Sequence, residues 1–290
     1  MIDLPFDDLT DPIRLADWLE LYALTSPDHN SSRGDLDGAL RRAALAELED
    51  DEAIEVKIME VFDELEERMR ITQMAYPFEM DHPGVLALKS TWEYFPTYVF
   101  CLCLSYLPIR ETKGPRLFER VSCLAAGGYL QGEAVGFGFP RKELPSAFSD
   151  AVTELCGRIG EGMRYKNQLA LDRQDDTLDL VAWKDFVDGR PSKVLMFGQC
   201  GAGQNWTQKL GELDPKQFWD QWMHESLVSP IPVKSFFSPY RIQPERWEFY
   251  ARKAGILFDR CRIAFCAQKK MGDYSEIIAW VTDFLMRSMQ

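Results

Sequence analysis

The sequence predicts a mixed α/β protein, with an all-helical N-terminal region over residues 1–140 followed by an α/β domain over residues 141–290. Three observations predict it. Apolar residues recur at helical spacing through the first 130 residues, the spacing drops to two between Leu178 and Cys200, and glycines and prolines cluster from Gly127 to Pro145 between the two textures. With 290 residues, 46% of them apolar, the chain has enough apolar surface for two cores.

Asp11 caps the first expected helix, Pro12 occupies its first turn, and Leu15, Trp18, Leu19 and Tyr22 follow on one face. A polar loop is expected from Ser26 to Asp35. Ile54, Ile58, Phe62, Leu65 and Met69 trace one stripe through an acidic stretch, so Asp50 to Arg70 is predicted as a long amphipathic helix. Apolar segments at Leu86–Ile109 and Leu117–Leu130 complete a layer of about five helices. Tyr94–Ile109 is uncharged but contains Pro96 and Pro108 and falls short of the roughly 20 residues that span a bilayer, so no membrane partner is expected.

Past the glycine-rich connector, Phe148, Val152, Leu155, Ile159 and Met163 give another amphipathic helix. Leu178–Trp183 and Val194–Cys200 read as strands joined by the turn-rich Asp188–Ser192. Asp214-Pro215 opens a helix carrying Phe218, Trp219 and Trp222. Strands are expected at Ile231–Phe237 and Arg262–Cys266, on either side of a helix between Pro244 and Gly255, and Tyr274–Met289 closes the chain as a helix.

Formal net charge is −13, divided into −14 over residues 1–150 and +1 over residues 151–290. That excludes a uniformly basic nucleic-acid coat, and the acidic half is expected to repel DNA or meet a protein partner. Residues 205–270 are locally basic with interleaved aromatics, a composition compatible with phosphate contact. Seven cysteines without a CxxC pair read as reduced thiols, and the acidic start Met1–Asp8 lacks the features of a signal peptide, so a cytoplasmic location is expected. His29, His82 and His224 are scattered, which gives metalloprotease and serine-hydrolase chemistry no footing. Gly198, Gly201 and Gly203 follow a strand but match no phosphate-binding loop.

One constellation points to chemistry. A hairpin centred on Gly189 sets Asp179 directly opposite Gln199, at one end of an apolar sheet face formed by Val181, Trp183, Leu195 and Phe197. Hard divalent cations take oxygen ligands, and Asp179, the Gln199 side-chain oxygen and the Cys200 carbonyl offer three around Mg²⁺ or Mn²⁺. Glu154 and Glu161, seven apart on the preceding helix, are candidates for a fourth.

The order of helix, Asp179-Leu-Val-Ala-Trp183, turn, strand ending in Phe197-Gly-Gln-Cys200, then helix, resembles the PD-(D/E)XK restriction-endonuclease-like nucleases. It is most similar to variants of prokaryotic defence systems that carry Gln at the Glu position and a Gly-Gln-Cys signature. The resemblance spans about residues 145–270 and implies a restriction-endonuclease-like mixed sheet flanked by helices. It further implies a Mg²⁺-dependent endonuclease acting on DNA, with Asp179, Gln199 and the Cys200 carbonyl holding the metal, and an ATPase or helicase partner subunit. Homo-oligomerisation stays open. Gly201 stands where the family has its lysine. Lys209, on the following helix, is the first candidate to replace it, ahead of Lys184 and Lys193 at the hairpin's far end. The alternative is a catalytically inactive nuclease-like scaffold that binds nucleic acid or a partner protein. A third reading is an adaptor whose acidic helices dock a basic partner.

Overall fold

The computed structural model describes residues 11–43, 51–106, 113–166, 174–225 and 230–288. The acidic segment 1–8, Asp50, Ile109 and Met289, all used in the expectations above, lie outside them. The chain divides into two compact units, residues 1–108 with 273–290, and residues 109–272. The boundary expected at residue 140 thus falls within the second unit, because the strand before it pairs in that unit's sheet and the helix before that packs on the same sheet. Among the described residues there are eleven α-helices and two sheets, a mixed α/β architecture.

In the first unit α1 (Pro12–Thr25) starts where its cap dictates, with Asp11 Oδ1 accepting from the Ile13 amide at 2.9 Å. β1 (Asn30–Ser32), α2 (Arg33–Ala43), α3 (Asp51–Thr72), β2 (Phe78–His82), β3 (Val85–Leu88) and α4 (Pro96–Tyr106) follow. The stripe on α3 faces inward as expected, with Ile54, Ile58, Val61 and Leu65 buried. The N-terminal region is not all-helical, since β1, β3 and β2 form a three-stranded antiparallel sheet. Its strands are three to five residues long. Such short strands give too little alternation to register against helical periodicity, and Asn30-Ser-Ser32 reads as loop.

In the second unit α5 (Lys113–Leu130) leads into β4 (Glu133–Gly136), α6 (Phe148–Ile159), β5 (Leu180–Lys184) and β6 (Val194–Cys200). α7 (Trp206–Lys209), α8 (Pro215–Trp222), β7 (Val233–Phe237), α9 (Pro244–Ala254), β8 (Ile256–Phe258) and α10 (Arg260–Ala267) complete it. The strands stand in the order β4-β5-β6-β7-β8, the first three antiparallel and the last three parallel. The β5–β6 register is the expected one, with Leu180 opposite Gly198, Val181 opposite Phe197 and Trp183 opposite Leu195. Val181, Trp183, Leu195 and Phe197 make one core with Val152, Leu155, Phe218 and Trp222 from α6 and α8.

Two expectations change. Arg262–Cys266 is part of α10 rather than a strand, because Asp259 caps a helix there, its Oδ1 accepting from the Arg262 amide at 3.0 Å. The strand is β8, just upstream. The glycine-rich connector is also structural. α5 presses on α10 at Gly128 and the chain presses on β5 at Gly132, where an added Cβ would lie 2.0 Å from the Cys266 and Trp183 carbonyl oxygens respectively.

The last helix, α11 (Ser275–Ser288), belongs to the first unit, where Trp280 packs edge-on to Phe100. No disulfide joins any of the seven cysteines. No helix among the described residues is long and apolar enough to cross a membrane.

Candidate functional site

Asp179 sits one residue before β5, and its backbone is clamped from both sides. Its amide donates to the Gly198 carbonyl of β6 at 2.9 Å, and its own carbonyl accepts from the Phe137 and Gly138 amides at 2.7 and 3.0 Å. Its side chain is fixed in turn, with Oδ2 accepting from the Cys200 amide at 2.6 Å. The approach to it is strained. Asp176 and Thr177 both hold left-handed backbone conformations, with φ of 53° and 68°, and for the β-branched Thr177 that is an unfavourable region.

A second carboxylate meets it from α5. A Cβ placed on Gly138 would lie 2.6 Å from Glu119 Oε2 and 3.3 Å from Asp179 Oδ1, so the two acids converge on one point that only glycine leaves open. Asp175 lies within electrostatic reach of both. Glu212 enters through Gln199, whose Nε2 donates to Glu212 Oε2 at 2.8 Å. That bond fixes the amide's orientation and leaves Gln199 Oε1 buried with no hydrogen-bond partner among the described residues, in a side chain only 4% exposed.

The electrostatics follow from this crowding. Burial, opposed by the Cys200 amide and reinforced by Asp175, pushes the Asp179 carboxyl up to about 7. Burial together with Asp179 and Asp175 pushes Glu119 up to about 8. Lys209 lowers both, and Arg116 also lowers Glu119, without restoring ordinary values. Burial and then Asp179 push the Cys200 thiol well up, which works against thiolate chemistry there.

Asp179 and Gln199 lie at one end of the β5–β6 pair, and the charge of Lys209 reaches Asp179. Cys200 meets Asp179 through its amide, a bond separate from the metal contact expected of its carbonyl. Glu154 does not join, because it lies on the solvent side of α6 with its carboxylate 2.6 Å from the Arg158 guanidinium. Glu161 does not join either. It accepts from the Ser192 amide at 2.9 Å, at the opposite end of β6 from Gln199. The alternation that sets Glu154 and Glu161 on one side of a helix is lost because α6 ends at Ile159, with Gly160 as its left-handed cap. Lys193 pairs with Asp185 and Lys184 bonds the Gln131 carbonyl, both at the hairpin's far end. Gly201 has a steric reason to be glycine, since a Cβ there would lie 2.6 Å from the Phe236 ring and 2.8 Å from Trp206. No lysine fits at that position without repacking.

Glu119, Asp175 and Glu212 were not legible as site residues. Glu119 lies in a helix assigned to another region, and its only sequence signal is its place one turn before Ser122 and Cys123 on the buried side of α5. Comparisons with family models, curated proteins and solved structures returned no match.

The donor set fits a hard cation: two carboxylates that face one point and whose proton affinities burial raises, and a buried amide oxygen with no hydrogen-bond partner among the described residues. Among the described residues no group of three His, Cys, Asp or Glu side chains stands ready-gathered as a metal cage. Mg²⁺ typically takes one or two protein carboxylates and keeps several waters or substrate oxygens, which this arrangement allows.

Proposed function

We propose that the chain is a metal-dependent nuclease that hydrolyses DNA phosphodiester bonds, of the restriction-endonuclease-like kind. The observation that carries this reading is the convergence of Asp179 and Glu119 on Gly138, with their shared excess of negative charge. The mixed sheet flanked by helices and the Asp179–Gln199 register support it. A role in prokaryotic defence rests on the Gly-Gln-Cys resemblance alone.

Asp179, Glu119 and the Gln199 oxygen are the residues that would hold the cation. When bound, the ion supplies Lewis-acid stabilisation of phosphoryl charge and a water of lowered pKa. The chain's own residues prepare for that. The Cys200 amide fixes Asp179, Glu212 fixes the Gln199 amide, and the proton that Asp179 and Glu119 hold near neutral pH leaves when a cation takes its place. Lys209 brings the positive charge that Gly201 cannot carry, from the turn where the Glu212 amide donates to its carbonyl at 3.0 Å.

The test is cleavage of plasmid and single-stranded DNA with Mg²⁺ or Mn²⁺ by wild type, Asp179→Asn, Glu119→Gln and Gln199→Ala, with and without ATP. We expect metal-dependent cutting, reduced about a hundredfold or more in the two carboxylate variants. No cutting by wild type under any condition, with DNA binding intact in all four proteins, would move the assignment to the inactive scaffold, the reading that Gly201 favours.

A further inference from the structure

Resting on that reading, we infer that Phe139 is a base-stacking residue, so that the site takes its scissile phosphate next to an unpaired nucleotide. Gly138, whose Cα faces the Glu119 and Asp179 carboxylates, is followed directly by Phe139. The loop is tied to the site through its backbone: Gly138 N donates to the Asp179 carbonyl, and Phe139 N lies 3.5 Å from Asp175 Oδ2. Phe137, two residues earlier, is fully buried. Phe139 is 43% exposed instead.

Two basic residues stand beside it, with the Asp175 carboxylate on the side of its amide. The Arg141 guanidinium lies 4.6 Å from the Phe137 ring centre and 5.9 Å from that of Phe139, held by its bonds to the Ser146 and Gln174 carbonyls, with Nε buried and no partner for it among the described residues. Lys142 follows on the surface. An exposed ring flanked by positive charge, one residue from a carboxylate pair, matches how polynucleotides are held when sequence is not read: the base stacks and the phosphates meet the cations. A base inside a duplex has no free face for the ring, so the geometry selects unpaired nucleotides, in DNA or RNA.

The experiment is fluorescence anisotropy with labelled single-stranded DNA, single-stranded RNA, duplex DNA and an abasic single strand of equal length, with Ca²⁺ replacing Mg²⁺. Wild type should bind base-bearing single strands about tenfold tighter than the abasic strand, and Phe139→Ala should remove that preference. Phe139→Trp should keep it, its added indole emission quenched on binding, which also covers the case of an alanine variant that folds poorly. The DNA and RNA arms separate the two sources of the base. An unchanged preference in Phe139→Ala, or none in wild type, overturns the inference, and cleavage that Asp179→Asn abolishes would leave the nuclease reading standing beside that result. Binding of none of the four ligands by wild type overturns both.

Discussion

Each unit gathers several carboxylates around a partly or fully buried point, and the two clusters are resolved in opposite ways. In the first unit Arg68 is completely buried and donates to Asp17 at 2.7 Å, Glu20 at 2.8 Å, Glu64 at 2.7 Å and the Ile13 carbonyl at 2.9 Å. Tyr76 and Tyr98 complete it by donating to Glu20 Oε1 at 2.6 and 2.8 Å. Burial opposes the guanidinium's charge, but Glu20 and Asp17 outweigh it and hold Arg68 ionised. In the second unit no cation among the described residues forms an ion pair with Asp179 or Glu119. Lys209 is exposed and acts at longer range, and both acids keep raised proton affinities. A buried charge cluster built for structure supplies its own counter-charge; the second cluster does not, and the proposed cation site rests on that difference.

The largest effect should come from breaking the satisfied cluster. Arg68→Met leaves Asp17, Glu20 and Glu64 facing one another without their shared donor. Loss of a partner from a buried ion pair typically removes about 3–5 kcal/mol. Urea unfolding should show the variant destabilised by that order, and a loss below about 1 kcal/mol would mean that the first unit does not depend on this network.

Neutralising the unsatisfied cluster should do the reverse. With folded-state values of about 7 for Asp179 and about 8 for Glu119, the folded protein retains protons that the unfolded chain releases above the ordinary carboxylate range. Stability contributed by these groups is therefore highest in acid and falls as pH rises through that range towards 7 and 8. Combining Asp179→Asn with Glu119→Gln should raise stability by about 2 kcal/mol at about pH 9 and change it little near pH 5, while abolishing metal binding. Equal effects at both pH values would show that the two carboxyls are not crowded in the folded state.

Gly138→Ala sharpens the contrast with a single methyl. The nearest atom it meets, Glu119 Oε2, is the end of a flexible side chain and can move aside, so stability should change by less than about 1 kcal/mol. The displaced carboxylate no longer meets Asp179, so Mn²⁺ affinity, measured by calorimetry, should drop about tenfold. A stability loss of several kcal/mol with Mn²⁺ affinity unchanged would assign Gly138 to packing.

Asp179, Gln199 and their register were readable because a hairpin converts turn position into cross-strand neighbours by simple symmetry, and β5–β6 obeys it. Glu119 was not, since a helix sixty residues upstream gives no sign in its own periodicity of which sheet it will cover. Arg68 hid for a related reason. It reads as one more charge on an amphipathic helix, and only the fold brings α1, α4 and the segment after α3 against it. Local patterns fix which face of an element is buried; which charged groups then share that burial depends on tertiary pairing.

The smallest effect expected is that of Lys209. It is exposed, but it lowers the proton affinity of both carboxyls, so its charge reaches the site from solvent. Lys209→Met should move the pH midpoint for Mn²⁺ binding upwards by roughly half a unit at low salt, because the protons to be displaced are then held more tightly. The shift should fade in about 1 M salt, where the screening length falls to about 3 Å. A lysine that instead delivers a proton or touches the substrate would lower the cleavage rate at every ionic strength, with the metal-binding midpoint unmoved. The two outcomes separate a lysine that only tunes the carboxylates from one that takes over the role closed to position 201.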